Sequence, residues 1–221
     1  MVPNIRNYAS SEFMVWRADW IDELGYTELV QTMTTWAEFE EVLAAILEKY
    51  GVAPLAARGD NEDSRVLYHG TGGITLSGTG DFSNALVTDN VGDNLYALAT
   101  DADTNTVSNI YLDPHFVESC ETMKRWYDAG YIYADGPVTQ EDCSTQVKNG
   151  IAAGFTVTSE IGVEVAKESQ TGYRMYATKL CDAMITSGVV SRFGLGVAVG
   201  SEEPEAAVRF MNLLMTSKEL N

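Results

Sequence analysis

Apolar and polar positions along the chain fall into short apolar runs and longer one-sided stripes, which reads as strands interleaved with helices. The first run, Phe13 to Trp16, is short and continuously apolar, as a strand buried on both faces would be. It leads into a charged turn and then a loop ending in Thr35-Trp36-Ala37-Glu38, a capping-box pattern in which two side chains satisfy orphan helix donors. A helix must follow. Phe39, Val42, Leu43, Ile46, Leu47 and Tyr50 share one face of it, acidic residues lie mostly on the other, and Gly51 supplies a left-handed stop.

The pattern continues in the same alternation. Val52 to Ala56 reads as a short buried strand, followed by the polar loop Arg58 to Ser64, and Arg65 to Tyr68 as the start of a helix. From Gly70 to Gly92 the chain is rich in Gly, Thr, Ser and Asp and reads as a flexible insertion. Asn94 to Thr100 and Thr106 to Tyr111 then flank a turn and predict a hairpin. Asp113 and Pro114 open a second long helix that Gly130 closes, with Phe116, Val117, Cys120, Met123 and Tyr127 as its expected buried stripe. Thr139 to Asn149 reads as a capped helix stopped by Gly150, Ile151 to Val157 as a buried strand, and the chain from about Ser159 as a further helix. Tyr173 to Leu180 predicts a strand and Val189 to Val199 a second apolar run. Glu203-Pro204 opens the last helix, with Ala207, Phe210, Met211 and Leu214 turned inward. The class is α/β.

Composition narrows the function. With 221 residues, 45% hydrophobic and 21% charged, the chain can pack a globular core. Its 14 basic and 32 acidic residues give a net charge of -18, which repels phosphate backbones and anionic lipid and argues against nucleic acid as a partner. Cys120, Cys143 and Cys181 are widely spaced, with only His69 and His115 as co-ligands, so no zinc pattern results. Cys120 is expected as a small buried hydrophobe, and a disulfide between two of the three stays open. Gly70, Gly72, Gly73, Gly78 and Gly80 lack the Lys-Ser/Thr of a phosphate cradle. Asp101, Asp103 and Asn105 match the start of a calcium loop, but Thr106 replaces its glycine and Leu112 its final Glu. No nucleophile elbow, zinc set or P-loop is present, so neither catalysis nor a cofactor is called for.

Several segments together carry a resemblance. The order strand, Arg17-x-Asp19-Trp20, Leu24-Gly25, Thr35-Trp36-x-Glu38-Phe39, then Arg125-Trp126-Tyr127 with Gly130-Tyr131-Ile132, and the closing Glu203 to Leu220, resembles the extracellular solute-binding proteins of sugar-type ABC importers. The chain departs from that family's pattern at Ala18, usually Lys, and at Met33, usually Pro. The resemblance implies a periplasmic-binding-protein-like II fold, mostly the second lobe, with residues 1–12 and 189–199 as hinge or crossing segments. It also implies a central fragment of a longer, two-lobed lipoprotein on the cell surface, since MVPNIRNYASSEF has no signal-peptide pattern. The partners implied are a small extracellular solute, most often a sugar, and the permease subunits. A missing lobe would leave apolar surface open to self-association. The alternatives are a lobe of a carbohydrate-active enzyme and a fragment without intact ligand binding.

The same resemblance supplies site residues. Tyr8, Ser10, Ser11 and Glu12 would face the inter-lobe cleft, unless Tyr8 packs in a hinge and the serines cap a turn. Arg58, Asn61 and Glu62 would enter the cleft after a strand, against the reading of an ordinary solvated loop. Ser191 and Arg192 would follow the return crossing, and residues 70–92 would overlie the cleft mouth. Thr158, Ser159 and Glu160 stand on firmer physical ground: ligands of open α/β sheets bind where strands end and helices begin. Their alternative role is helix capping. Trp126, Tyr127, Tyr131 and Tyr133 are read as core and staple rather than as a sugar platform.

Overall fold

A computed structural model describes residues 9–59, 66–69, 74–87, 89–90, 98–101, 106–185 and 196–217. In chain order its elements are β1 (Ser11–Arg17), α1 (Ala18–Leu24), α2 (Thr27–Thr32), α3 (Trp36–Tyr50), β2 (Ala53–Leu55), β3 (Tyr68–His69), β4 (Ile74–Leu76), β5 (Ala85–Val87), β6 (Asp89–Asn90), β7 (Leu98–Asp101), β8 (Thr106–Asn109), α4 (Pro114–Asp128), α5 (Cys143–Lys148), β9 (Ala152–Ser159), α6 (Val163–Thr171), β10 (Met175–Lys179) and α7 (Pro204–Thr216). The central sheet has the order β10-β1-β9-β2. Strand β1 is antiparallel to both its neighbours, while β2 runs parallel to β9.

The continuous burial of β1 follows from its two-sided position. Successive side chains point to opposite faces. Met14 and Trp16 enter a core with Ile21 of α1, Val30 of α2, Phe39 and Ile46 of α3, and Trp126 of α4. Phe13 and Val15 enter a second core with Val147 of α5, Phe155 of β9 and Val163 of α6. The sheet is thus a layer between helices, and neither of its faces can be spared.

Helix α3 starts where its capping box says it should. The Glu38 amide donates to Thr35 Oγ1 at 3.3 Å, the Thr35 amide donates to Glu38 Oε2 at 3.1 Å, and Gly51 ends the helix at φ 66°. Its apolar face anchors an aromatic cluster: Phe39 stacks on Trp126 with centroids 5.6 Å apart, and Trp36 meets Phe82 edge-on at 4.8 Å. Full burial of a Phe-sized side chain contributes about 1.5–3 kcal/mol, so this cluster dominates the larger core. Glu40, on the flank of α3, ties α4 to it by accepting from Trp126 Nε1 at 2.8 Å and pairing with Arg125 at 2.6 Å. The Arg17-x-Asp19-Trp20 motif is structural. Arg17 makes a two-pronged hydrogen bond to Asp19, and its guanidinium lies 4.1 Å from the Trp20 ring centre and 3.8 Å from that of Tyr173.

Several expectations are corrected. The charged turn and loop after β1 fold as the short helices α1 and α2, because Ile21 and Val30, at 1% and 0% exposure, dock them on the sheet; helices this short depend on tertiary packing rather than propensity. Residues 66–69 do not begin a helix: Tyr68–His69 is a strand paired with β4. The described part of the Gly-rich stretch is no loose insertion either. Strand β4 pairs with β3 and β5, and Ile74, Leu76 and Phe82 belong to the main core. The hairpin forms as β7 and β8, with its turn 102–105 outside the described residues.

The buried face of α4 is rotated from the expected one. Ser119, Thr122 and Trp126 are buried, whereas Val117, Cys120 and Tyr127 are exposed. Trp126, the largest side chain on the helix, sets the rotation by filling the gap beside Phe39. Tyr127 acts as a staple, its hydroxyl donating to the Ala134 carbonyl at 2.9 Å. The helix expected over 139–149 is shorter, starting at Cys143 behind the Asp142 cap, and α6 begins at Val163 rather than near Ser159. On α7 only Met211 of the four expected inward residues is buried; Phe210 is 59% exposed. The three cysteines are free thiols.

Candidate functional site

Strand directions bring the candidate residues to one edge. Since β1 is antiparallel to both β9 and β10, and β2 is parallel to β9, the carboxyl ends of β2, β9 and β10 and the amino end of β1 lie together. This is the edge at which open α/β sheets bind ligands. The register sets Ser11 opposite Ser159 and Glu12 opposite Thr158. Beside them lie Lys179 to Asp182, the segment that leaves β10.

A concavity of about 410 Å3 opens at this edge, with Ser11, Ser159, Glu160, Ile161, Lys179 and Ala183 among its lining residues. Hydroxyls and charges share it with apolar surface: Ile161 is 93% exposed. Beneath it Thr158 Oγ1 donates to Glu12 Oε1, and Glu12 is fully buried. Ser11 Oγ donates to the Cys181 carbonyl at 2.5 Å, and the Glu12 amide donates to Cys181 Sγ at 3.3 Å. Backbone bonds between Ser10 and Met184, at 3.0 and 2.8 Å, fasten the entry to β1. Burial pushes the Cys181 thiol pKa up, against the hydrogen bonds from Glu12 and Ser11.

A second concavity, of about 510 Å3, lies across Lys179 from the first. Its wall includes Thr34, Asp81, Phe82, Ser83, Cys181 and Asp182. The loop before α3 and the turn before β5 are laced together there, the Phe82 amide donating to the Thr34 carbonyl at 2.8 Å and the Trp36 amide to the Gly80 carbonyl at 2.9 Å. Lys179 Nζ reaches Asp182 Oδ1 at 2.7 Å, and its hydrogen bond and positive charge hold that carboxyl below the usual range.

Of the residues singled out from sequence, Ser11, Ser159 and Glu160 share the first concavity. Glu12 and Thr158 bond to each other below it, and Ser10 takes part through its backbone. Thr158, Ser159 and Glu160 do not cap α6, whose N-cap is Gly162 with no side-chain hydrogen bond. Arg58 reaches the same edge after β2, but it turns toward Asp142 at 3.8 Å, at the start of α5. Tyr8, Asn61, Glu62, Ser191 and Arg192 lie outside the described residues. Lys179, Cys181, Asp182 and the Thr34 and Asp81 walls were missed from sequence. The strand-end rule that selects Thr158 to Glu160, applied to β10, would have selected Lys179 to Asp182. The Thr34 and Asp81 walls have no such local signal.

Among the described residues, no group of three or more His, Cys, Asp and Glu side chains is placed to hold a metal ion, and no helix is long and apolar enough to cross a membrane. No curated protein matches the chain significantly. Among solved structures, the N-glycan transport solute binding protein NgtS of Streptococcus pneumoniae is similar with a TM-score of 0.73 at 20% identity, over 99% of this chain and 44% of that one. The GacH receptor of Streptomyces glaucescens matches with a TM-score of 0.54 at 18% identity, over 97% and 50%. An ABC substrate-binding protein of Listeria monocytogenes, in complex with cycloalternan, matches with a TM-score of 0.55 at 12% identity, over 96% and 48%. At these identities the likeness is one of fold, and the chain spans half or less of the length of these three proteins. A family model of bacterial extracellular solute-binding proteins matches residues 6–221. With nearly the whole chain matched, it belongs to the bacterial extracellular solute-binding proteins.

Proposed function

We propose that this chain supplies one wall of a carbohydrate-binding site in an extracellular receptor that delivers its solute to an ABC permease. The observation that carries the reading is the sheet edge where Ser11, Ser159 and Glu160 meet Lys179 beside the exposed Ile161. An uncharged sugar asks for that mixture: hydroxyls need several donors and acceptors, and the C–H face of a ring needs apolar surface. The family membership and the sugars held by similar structures support the same reading, among them proteins in complex with cycloalternan and with β-1,6-galactobiose. The opposite wall belongs to the remainder of the receptor. Closure of that part over the edge would bury the solute, and residues 1–12 and 189–199 are our candidates for the connecting hinge. Membrane attachment through a lipid anchor on the full-length protein belongs to the same proposal.

The test is calorimetry on the full-length receptor with a panel of neutral sugars, set beside a hydrolysis assay on the same panel. Saturable binding without turnover is expected. Bond cleavage would replace the receptor reading with that of an enzyme lobe, and a panel without any binder would remove the carbohydrate.

A further inference from the structure

The ladder between β1 and the chain leaving β10 breaks register beside the two concavities. From Arg17 opposite Met175 to Phe13 opposite Lys179 the strands pair without interruption, and the Leu180 amide extends that register by donating to the Glu12 carbonyl at 2.8 Å. The next backbone pair is Ser10 with Met184, which exchange both bonds at 3.0 and 2.8 Å. Ser11 therefore stands opposite residues 181–183, a bulge holding two residues more than an unbroken ladder would. Two is the number that spares the sheet, because side chains alternate with a period of two and an insertion of one would turn every later side chain to the other face. Two side chains take up the backbone groups that the break strands. In a regular antiparallel pair the Glu12 amide would return a bond to the Leu180 carbonyl; it donates instead to Cys181 Sγ at 3.3 Å. The Cys181 carbonyl accepts from Ser11 Oγ at 2.5 Å. Ser11, Glu12 and Cys181 are all buried, where an unpaired backbone group costs as much as a lost hydrogen bond. The bulge is the partition between the concavities: Asp182 borders the larger, Ala183 the smaller, and Lys179, bonded to Asp182 at 2.7 Å, borders both.

Resting on the reading of this edge as a solute site, we propose that Ser11 and Cys181 are positioning residues that lock the inserted Asp182-Ala183 pair into the partition. The insertion serves the site and not the sheet, since the ladder can close without it and keep every side chain on its face. The one hydroxyl proton of Ser11 is committed to the Cys181 carbonyl, so Ser11 acts on a bound solute through the bulge and not as a donor to it.

The experiment compares the full-length receptor as wild type, Ser11→Ala, Ser11→Thr, Asp182→Ala and a variant lacking Asp182 and Ala183. It reads the rate at which N-ethylmaleimide labels Cys181, resolved from the other thiols by peptide mass spectrometry, together with the urea midpoint and calorimetric affinity for the panel of neutral sugars. Ser11→Ala orphans the Cys181 carbonyl and loosens the bulge. Labelling of Cys181 should quicken about tenfold and sugar affinity fall about tenfold, with the urea midpoint lowered by roughly 0.5 M. Ser11→Thr keeps the hydroxyl and should restore slow labelling and affinity. The deletion should keep or raise the urea midpoint while weakening sugar binding more than Asp182→Ala, which retains the bulge, does. Equal labelling rates in Ser11→Ala and wild type, no rescue by threonine, a deletion variant that unfolds or binds as wild type does, or an Asp182→Ala variant as weak as the deletion would each overturn this inference and leave carbohydrate binding in place. A wild type that binds no sugar would remove the carbohydrate reading, and the labelling rates would still decide whether Ser11 holds the bulge.

Discussion

Gly154→Ala is the most direct test of how the central sheet holds the site together. Gly154 lies in β9 opposite Trp16 of β1. A Cβ built there would stand 2.1 Å from the Val15 carbonyl oxygen and 2.6 Å from Met14 Cε, while ordinary contact begins at 3.4 Å. Met14 is a flexible side chain and can yield. The Val15 oxygen is backbone in a strand paired on both sides, so relieving an overlap of more than 1 Å requires β1 to separate from β9 or β10. Overpacking of a tight core costs about 1–3 kcal/mol and more when backbone must move. Alanine's stiffer unfolded chain returns only about 0.4–1 kcal/mol. The net expectation is a loss of about 2 kcal/mol, which at a typical urea slope lowers the unfolding midpoint by roughly 1 M. Because the same pairing sets Ser11 opposite Ser159, sugar affinity measured on the folded protein should fall as well. Urea unfolding followed by tryptophan fluorescence reads the first effect and calorimetry the second. An unchanged or raised midpoint would refute the reasoning, since it would mean that β1 and β9 do not approach as closely as their register requires.

The remaining expectations use the same assays. Thr35→Ala removes half of the capping box and should cost about 1 kcal/mol at the urea midpoint, with the far-ultraviolet spectrum otherwise retained; no change would mean that the cap is not used. Burial opposes the charge of Glu40, but hydrogen bonds from Arg125 and Trp126 and the charge of Arg125 outweigh it and hold the carboxyl below its ordinary value of 4.5. A depressed carboxylate contributes stability that is present above the unfolded value and lost as pH falls through the folded one. Wild type should therefore exceed Glu40→Gln in stability at pH 7 by an amount of order 1 kcal/mol after solvent screening, and the difference should shrink as pH falls below the ordinary value of 4.5. A difference that persists undiminished at pH 3 would point to packing instead. Cys120 is exposed, while Cys143 and Cys181 are buried, so a thiol reagent should label one cysteine in the native protein and three after unfolding. Burial still raises the Cys120 thiol pKa, so labelling should quicken as pH rises above neutrality. Three fast thiols in the native state would contradict the packing of α5 and of β10's exit.

Local chemistry settled a definite part of this protein from sequence alone. Thr35 and Glu38 fix the start of α3 and Gly51 its end, because a cap acts on donors and acceptors within four residues of itself. Asp113 and Pro114 do the same for α4, and the apolar runs 13–16 and 151–157 announce buried strands. The strand-end rule also selects Ser159 and Glu160, which line the candidate concavity. Tertiary structure alone decided the rest. Ile21 and Val30 turn a charged loop into two helices only because the sheet is there to receive them, and Ile74 and Leu76 draw a Gly-rich stretch into the core. Trp126, beside Phe39, chooses the buried side of α4 over a stripe that periodicity favoured. The candidate site depends on pairings such as Ser11 with Ser159 and Glu12 with Thr158. Their energy comes from desolvation and hydrogen bonding between residues nearly 150 positions apart, and no short window of sequence contains both partners.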